Sequence, residues 1–247
     1  HLKNLKMILK NKNTKFIFCE KPLGRNYKEA KEMVDLSKKN KIVLATNYMR
    51  RWDKRYLWIK DKIDSKHLGK LISMNANGAT AMYTSASHLI DVLCYLGGEI
   101  DRVSGFLQKN FIREVHGQKD KGANAFLKFK SGVTCHLTAS SKSPIHYLFE
   151  IDLFFEEGKI CIKSDGNYVG ISNFKNNGQS GTGYLSLSEK EIFIKSNERM
   201  IDALSNIISS NYRNNSPNSS GKNALQVHKI IEGITNSSKK NGNFFKI

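Results

Sequence analysis

Two stretches of this 247-residue chain place groups able to move a proton where backbone elements end. The first is Phe16-Ile17-Phe18-Cys19-Glu20-Lys21-Pro22, a strand-forming apolar run that stops in a carboxylate, an ammonium and a proline. A short unbroken apolar run reads as a buried parallel strand, and ligands of open α/β sheets sit beyond the carboxyl ends of such strands. Lys21 is therefore expected at the mouth of a site. Proline biases Lys21 toward extended backbone and favours a cis bond more than any other residue does, so a stiff corner aims the side chain. The second stretch is Ser87-His88-Leu89-Ile90-Asp91, with His88 and Asp91 one turn apart on a helix and Ser87 as its possible cap. Imidazole, with an ordinary pKa of about 6.5, suits proton transfer near neutrality. Asp91, on the inner side of the helix, is read as an anchor for backbone or for a neighbouring base. A strand with a solvated turn, and a histidine of purely structural role, is the plain alternative for each.

The elements that would hold these groups follow from periodicity. After Gly24 and Arg25, Asn26 reads as an N-cap with a reciprocal Glu29. Ala30, Met33, Val34 and Ser37 recur at helical spacing, and the helix closes on Lys38-Lys39 with Asn40 as a left-handed stop. Ile42 to Tyr48 is a second buried strand, which delivers Asn47, Tyr48, Arg50 and Arg51 at its far end. Strand, helix and strand with short joints make a βαβ unit with parallel strands, so two strand ends face one crevice.

In this order, Cys19-Glu20-Lys21-Pro22-Leu23-Gly24, Asn47-Tyr48-Met49-Arg50-Arg51, Gly69-Lys70-Leu71 and the helix from Ser87 to Gly98 resemble the Gfo/Idh/MocA family of NAD(P)-dependent sugar and cyclitol oxidoreductases. The resemblance implies hydride transfer between NAD or NADP and a secondary alcohol of a sugar, cyclitol or nucleotide-sugar. It implies Lys21 and His88 as catalytic groups, and Glu20, Lys21 and Pro22 around the nicotinamide. Tyr48, Arg50, Thr84 and Asp91 fall on the substrate side, with an orienting role favoured for Asp91. One position departs from the family's pattern: a carboxylate commonly precedes the histidine by four residues, and here that place is Thr84. A threonine can hydrogen-bond a sugar hydroxyl but cannot hold a negative charge against an imidazolium. Either another group tunes His88, or Lys21 carries more of the chemistry.

The rest of the chain bounds the reading. Forty Lys and Arg against 22 Asp and Glu give a formal charge of +18, carried almost wholly by scattered lysines. Specific readers of nucleic acid lean on arginines and aromatics gathered on one face, so no specific nucleic-acid partner is expected, and the charge suits attraction of anionic small molecules. Four cysteines without metal-binding spacing point to a reduced, cytoplasmic protein and to no metal site. No apolar run reaches the length of a membrane span.

His1 to Lys10 has helical spacing, Trp52 to Ile63 reads as an amphipathic helix, and Lys70 to Asn77 as a strand. Beyond Glu99 the apolar period becomes 2: Ala125, Leu127 and Phe129 turn at Ser131-Gly132 into Val133, Cys135, Leu137 and Ala139, followed by strands over 147–155 and 160–162. Further strands are read at Tyr184–Leu187 and Glu191–Lys195, with a loop at Gly178–Gly183. Two terminal helices follow, one capped by Asn197, the other carrying Ala224, Leu225, His228, Ile231 and Ile234 as scaffold. His136 and His146 are placed on sheet surfaces without catalytic role. A nucleotide-binding βαβ needs about 30 residues and a Gly-rich turn, and none precedes Phe16. The fold expected is α/β plus α+β. Residues 1–50 would be the C-terminal remnant of a Rossmann-like parallel sheet. Residues 51–247 would be a substrate-binding and oligomerisation domain with a large, mainly antiparallel open sheet, helices on one face and a homo-oligomer through the other. A non-catalytic fragment of such an enzyme, unable to bind dinucleotide alone, is the second reading.

Overall fold

The computed structural model describes residues 1–79, 81–115, 118–140, 148–173, 188–213 and 215–247; His146, the Gly178–Gly183 loop and the Tyr184–Leu187 strand lie outside them. The chain opens with α1 (Leu2–Ile8), β1 (Phe16–Cys19), α2 (Tyr27–Lys39) and β2 (Val43–Thr46). β1 and β2 pair in parallel, Phe16 opposite Val43 and Cys19 opposite Thr46, so both strands end at the same edge. At the start of α2 the Asn26 carboxamide oxygen accepts the Glu29 N–H at 2.9 Å, as a cap must. The reciprocal half lands one residue early: the Glu29 carboxylate accepts the Arg25 N–H at 3.0 Å and pairs with the Arg25 guanidinium. The left-handed residue beyond the helix is Lys41 (φ 55), not Asn40 (φ −92).

A 3-10 turn (Met49–Trp52) then leads into α3 (Lys54–Asp64), whose Arg55 N–H is accepted by the Asp53 carboxylate at 2.9 Å, so the helix starts after Trp52 and not at it. Among the described residues nine strands make the second sheet: β3 (Leu71–Gly78), β4 (Ile100–Val115), β5 (Gln118–Phe129), β6 (Thr134–Ala139), β7 (Phe149–Phe155), β8 (Gly158–Lys163), β9 (Tyr168–Asn173), β10 (Ser188–Glu191) and β11 (Phe245–Lys246). Their order is β10-β9-β8-β7-β3-β6-β5-β4-β11. Every neighbouring pair is antiparallel except β3 with β6, so the sheet is mixed, as expected mainly antiparallel.

Period-2 alternation does what it should: Leu127 and Phe129, Cys135 and Leu137, Ile151 and Leu153 are buried, while Asn124 and His136 lie on the opposite, exposed side. The buried face is covered by α4 (Ser85–Gly97) and α6 (Gly221–Lys239), whose Leu89, Val92, Leu93, Ile230, Ile231 and Ile234 join it in one core. That core continues into Leu23, Met33 and Leu44, so the small parallel sheet and the large sheet are packed on each other. The third helix of the second half, α5 (Arg199–Tyr212), buries Ala203 and Ile207 against Ala45 and Trp52.

Three local expectations need correcting. Residues 192–195 are outside any strand: the ladder with β9 closes with the Ile192 N–H donating to the Val169 carbonyl at 2.8 Å. Asn197 does not cap α5: its side chain accepts the Lys54 N–H at 2.9 Å and donates to the Trp52 carbonyl at 2.7 Å, tying the segment to the start of α3. Ser87 is not the cap of α4, since the N-cap position is Thr84 and the Ser87 hydroxyl donates back to the Thr84 carbonyl at 2.7 Å.

Candidate active site

The crevice lies where β1 and β2 stop. Lys21-Pro22 is cis. The Lys21 Nζ donates to the Thr84 carbonyl at 3.0 Å, so the corner after β1 meets the first turn of α4. His88 sits one turn further along that helix, 8 % exposed, and the Tyr48 ring, at the end of β2, meets the His88 ring edge-on with centroids 5.5 Å apart. Beside them Asn47 donates to the exposed Glu20 carboxylate at 2.7 Å, linking the two strand ends. Strand end, strand end and helix start therefore meet pairwise: Lys21 reaches Thr84, Tyr48 packs on His88, and Asn47 is bonded to Glu20.

Burial drives the His88 pKa well below 6.5, and the positive charges of Arg50, Lys21 and Arg199 push it the same way. The imidazole is neutral at neutral pH, and its Nδ1 has no hydrogen-bond partner among the described residues. Buried polar atoms are seldom left unpaired. Asn47 Oδ1 and Thr46 Oγ1 share that condition at the end of β2.

The remaining sequence candidates are held more tightly. Arg50 is 3 % exposed; its Nε donates to the Asp165 carboxylate at 2.6 Å and its guanidinium lies 3.8 Å from the centre of the Phe149 ring. Asp91 is 1 % exposed, and Arg51 Nε donates to both its oxygens at 3.0 and 2.9 Å. Burial pushes the Asp91 carboxyl up, and Arg51 opposes that shift. This pair bolts α4 to the Met49–Trp52 turn. The Thr84 hydroxyl donates to the Ala81 carbonyl at 2.9 Å.

Other participants escaped the sequence. Asp120, 4 % exposed on β5, accepts the Tyr83 N–H at 3.0 and 3.1 Å and the Thr84 N–H at 3.1 Å, and so caps α4 from another strand. Nothing in Gln118-Lys119-Asp120-Lys121 marks it apart from a solvated strand. Asp165, left-handed at φ 58, and Arg199 complete a cluster with Arg50, Asp53 and Arg55. A Ser164-Asp165-Gly166 turn signal was there to be read. Among the described residues no group of three or more His, Cys, Asp or Glu could hold a metal ion, and no helix is long and apolar enough to cross a membrane.

A small parallel sheet whose strand ends face the N-terminal turn of a helix lying on a large mixed sheet defines an α/β plus α+β protein with a polar crevice at the junction. The profile described as GFO/IDH/MocA C-terminal domain matches residues 27–161, more than half of the chain, and the chain belongs to that family. Over 174 residues it is 30% identical to scyllo-inositol 2-dehydrogenase (NAD(+)) of Bacillus subtilis, which covers 63% of this chain and 51% of that protein. The fold is that of an oxidoreductase domain protein from Kribbella flavida (TM-score 0.82, 14% identity, 100% of this chain and 77% of that one). It is also that of levoglucosan dehydrogenase in complex with NADH and levoglucosan (TM-score 0.80, 17% identity, 100% and 77%). The chain spans about half or less of the lengths of the curated relatives it matches.

Proposed function

We propose that this crevice serves an NAD(P)-dependent oxidoreductase acting on a secondary alcohol of a cyclitol or sugar. The observation that carries the reading is the meeting of Lys21 with the α4 turn that bears the neutral, buried His88. Relatives named as inositol dehydrogenases support the substrate class, and a nucleotide-sugar is the finer possibility. When bound, a nicotinamide dinucleotide supplies the hydride acceptor, with Glu20 and Pro22 shaping its pocket.

Oxidising a secondary alcohol releases a proton from its hydroxyl, and the protein must hold that oxygen and take the proton. An ammonium has three N–H donors. Lys21 directs one to Thr84 and offers donation to the reacting oxygen, where it stabilises developing negative charge. His88, neutral because burial and three cations disfavour its charged form, is the proton acceptor. Tyr48 sets the ring plane of His88 from the side, Thr84 offers its carbonyl to Lys21, Arg50 adds positive potential, and Asp91 fixes the helix through Arg51.

The test is to mix the purified protein with NAD or NADP and a panel of inositols and monosaccharides, and to follow reduced-nicotinamide absorbance. Lys21→Ala is expected to lower turnover by at least about 100-fold with its thermal melt little changed. Near-normal turnover in that variant removes Lys21 from the mechanism. Titration of NADH, followed by nicotinamide fluorescence, separates this reading from that of a non-catalytic fragment, which gives no saturable signal.

A further inference from the structure

His228 lies on α6, 204 residues beyond Gly24, in an apolar helical stripe that reads as scaffold. The structure gives it a second task. Its Nε2 accepts the Gly24 N–H at 3.3 Å, and its ring packs against Tyr83 at 5.6 Å between centroids, tilted by 46°. Gly24 closes the corner that carries Lys21, and Tyr83 precedes Thr84, whose carbonyl receives the Lys21 ammonium. The contacts form a closed circuit: Lys21 through the chain to Gly24, across to His228, across to Tyr83, through the chain to Thr84, and back to Lys21. An ammonium on a four-carbon stem is aimed only as well as its Cα is fixed, and the His228 bond ties the corner to α6.

We propose that His228 is a positioning residue for the Lys21 corner, acting through the Gly24 N–H, a role that rests on the oxidoreductase reading above. Three observations favour an acceptor over mere packing. Nε2 accepts only in the neutral ring, and burial lowers the His228 pKa to about 4, so the acceptor is present throughout the neutral range. With Nε2 accepting, the proton sits on Nδ1, which is buried without a partner among the described residues; an apolar side chain would avoid that cost. Gly24 itself is pressed against α2, where a Cβ would stand 2.7 Å from the Ala30 nitrogen, so the corner is seated between α2 and α6.

The test compares wild type with His228→Gln, whose carbonyl can still accept, and with two acceptor-free variants, His228→Phe and His228→Met. Amide hydrogen exchange is read on the peptide spanning residues 19–26, beside steady-state kinetics. The acceptor-free variants are expected to speed exchange of this peptide about tenfold, without comparable change along α6. They should also lower kcat about tenfold with KM held within about twofold; His228→Gln should recover most of both. Unchanged exchange at residues 19–26, or equal loosening of α6 and the corner with no recovery by Gln, overturns the proposal. So does failure of both acceptor-free variants to fold while Gln folds, which would make His228 a determinant of the fold. A wild type that turns over no substrate with either dinucleotide defeats the oxidoreductase reading, yet the exchange arm still decides whether His228 fixes the corner.

Discussion

Removing Arg51 while leaving Asp91 in place should destabilise the protein more than removing both. The carboxylate is 1 % exposed and receives Arg51 Nε on both oxygens, at 3.0 and 2.9 Å. The same guanidinium donates to the Asn218 carbonyl at 3.3 Å and, more weakly, to the Asp91 carbonyl at 3.4 Å, which already lies inside α4, so Arg51→Met strands one buried charge and takes a donor from the Asn218 carbonyl. Breaking one side of a buried pair costs about 3–5 kcal/mol, a large part of a stability of about 5–15 kcal/mol. Asp91→Leu leaves the guanidinium its two carbonyls and should fall at the lower end of that range. The double variant Arg51→Met/Asp91→Leu has no stranded charge, and volume-matched apolar replacement of a buried pair is often near neutral. It should therefore be more stable than Arg51→Met alone by about 2 kcal/mol or more. Urea unfolding of the four proteins at one pH and temperature measures this cycle. A cost below about 1 kcal/mol for Arg51→Met, or a double variant as unstable as the sum of the singles, would show that the charges are solvated and that the pair does not bolt α4 to the Met49–Trp52 turn.

Three further outcomes follow. Gly24→Ala should cost about 1–3 kcal/mol in a thermal or urea melt and lower turnover, because the added Cβ would meet the Ala30 nitrogen at 2.7 Å, which is backbone and cannot swing aside. For stability against pH, the His228 pKa of about 4 in the folded state lies below the ordinary 6.5. The unfolded chain therefore takes up the proton first, and stability falls as pH drops from about 6.5 toward about 4, by about 2 kcal/mol at a pH of about 5. Urea midpoints at neutral pH and near pH 5 measure it; His88, also held well below 6.5, loses stability in the same direction, so His228→Gln should remove only the His228 share of the slope. Since His88 is held well below its ordinary pKa, the acid limb of kcat/KM should lie below a pH of about 6.5, and a limb above that value would contradict a neutral, buried His88.

The sequence was most readable where a single element dictated its own pattern. A strand running into Glu20-Lys21-Pro22, the capped α2 and the period-2 strands from Ala125 to Phe155 appear where expected, because burial of one face is written into residue spacing; β1 itself is not the buried strand expected, since Phe16 is exposed and Ile17, Phe18 and Cys19 are half-buried. What escaped depends on distant partners. The 16-residue β4 was not read as a strand, and the place of β3 between β6 and β7 is set by which strands pair, a long-range choice that local periodicity does not encode. The same holds in the crevice. Lys21 and His88 are marked by their positions at element ends, whereas Asp120 sits in an alternating charged strand and matters only because β5 passes under residues 83 and 84. His228 has the spacing of a core residue and is one; its bond to Gly24 is invisible until α6 folds back.

The departure at position 84 has a physical consequence in the folded chain. Among the described residues the carboxylates of Asp120 and Asp91 approach this part of α4, and both are engaged with other groups: Asp120 with the N–H groups of Tyr83 and Thr84, and Asp91 with Arg51. The charges that act on His88 are those of Arg50, Lys21 and Arg199, all positive, and they add to burial in disfavouring imidazolium. A histidine backed by a carboxylate keeps a proton it has taken; one set among cations passes it on and is left neutral. In the proposed reaction the same cations lower the cost of an alkoxide at the position Lys21 addresses, since a nearby positive charge favours the anion as much as it disfavours the imidazolium. Under the proposed reaction, Thr84 in place of a carboxylate would move the site's electrostatic weight from stabilising a protonated base to stabilising the deprotonated oxygen, and Lys21, held by the Thr84 carbonyl itself, would be the group on which that shift falls.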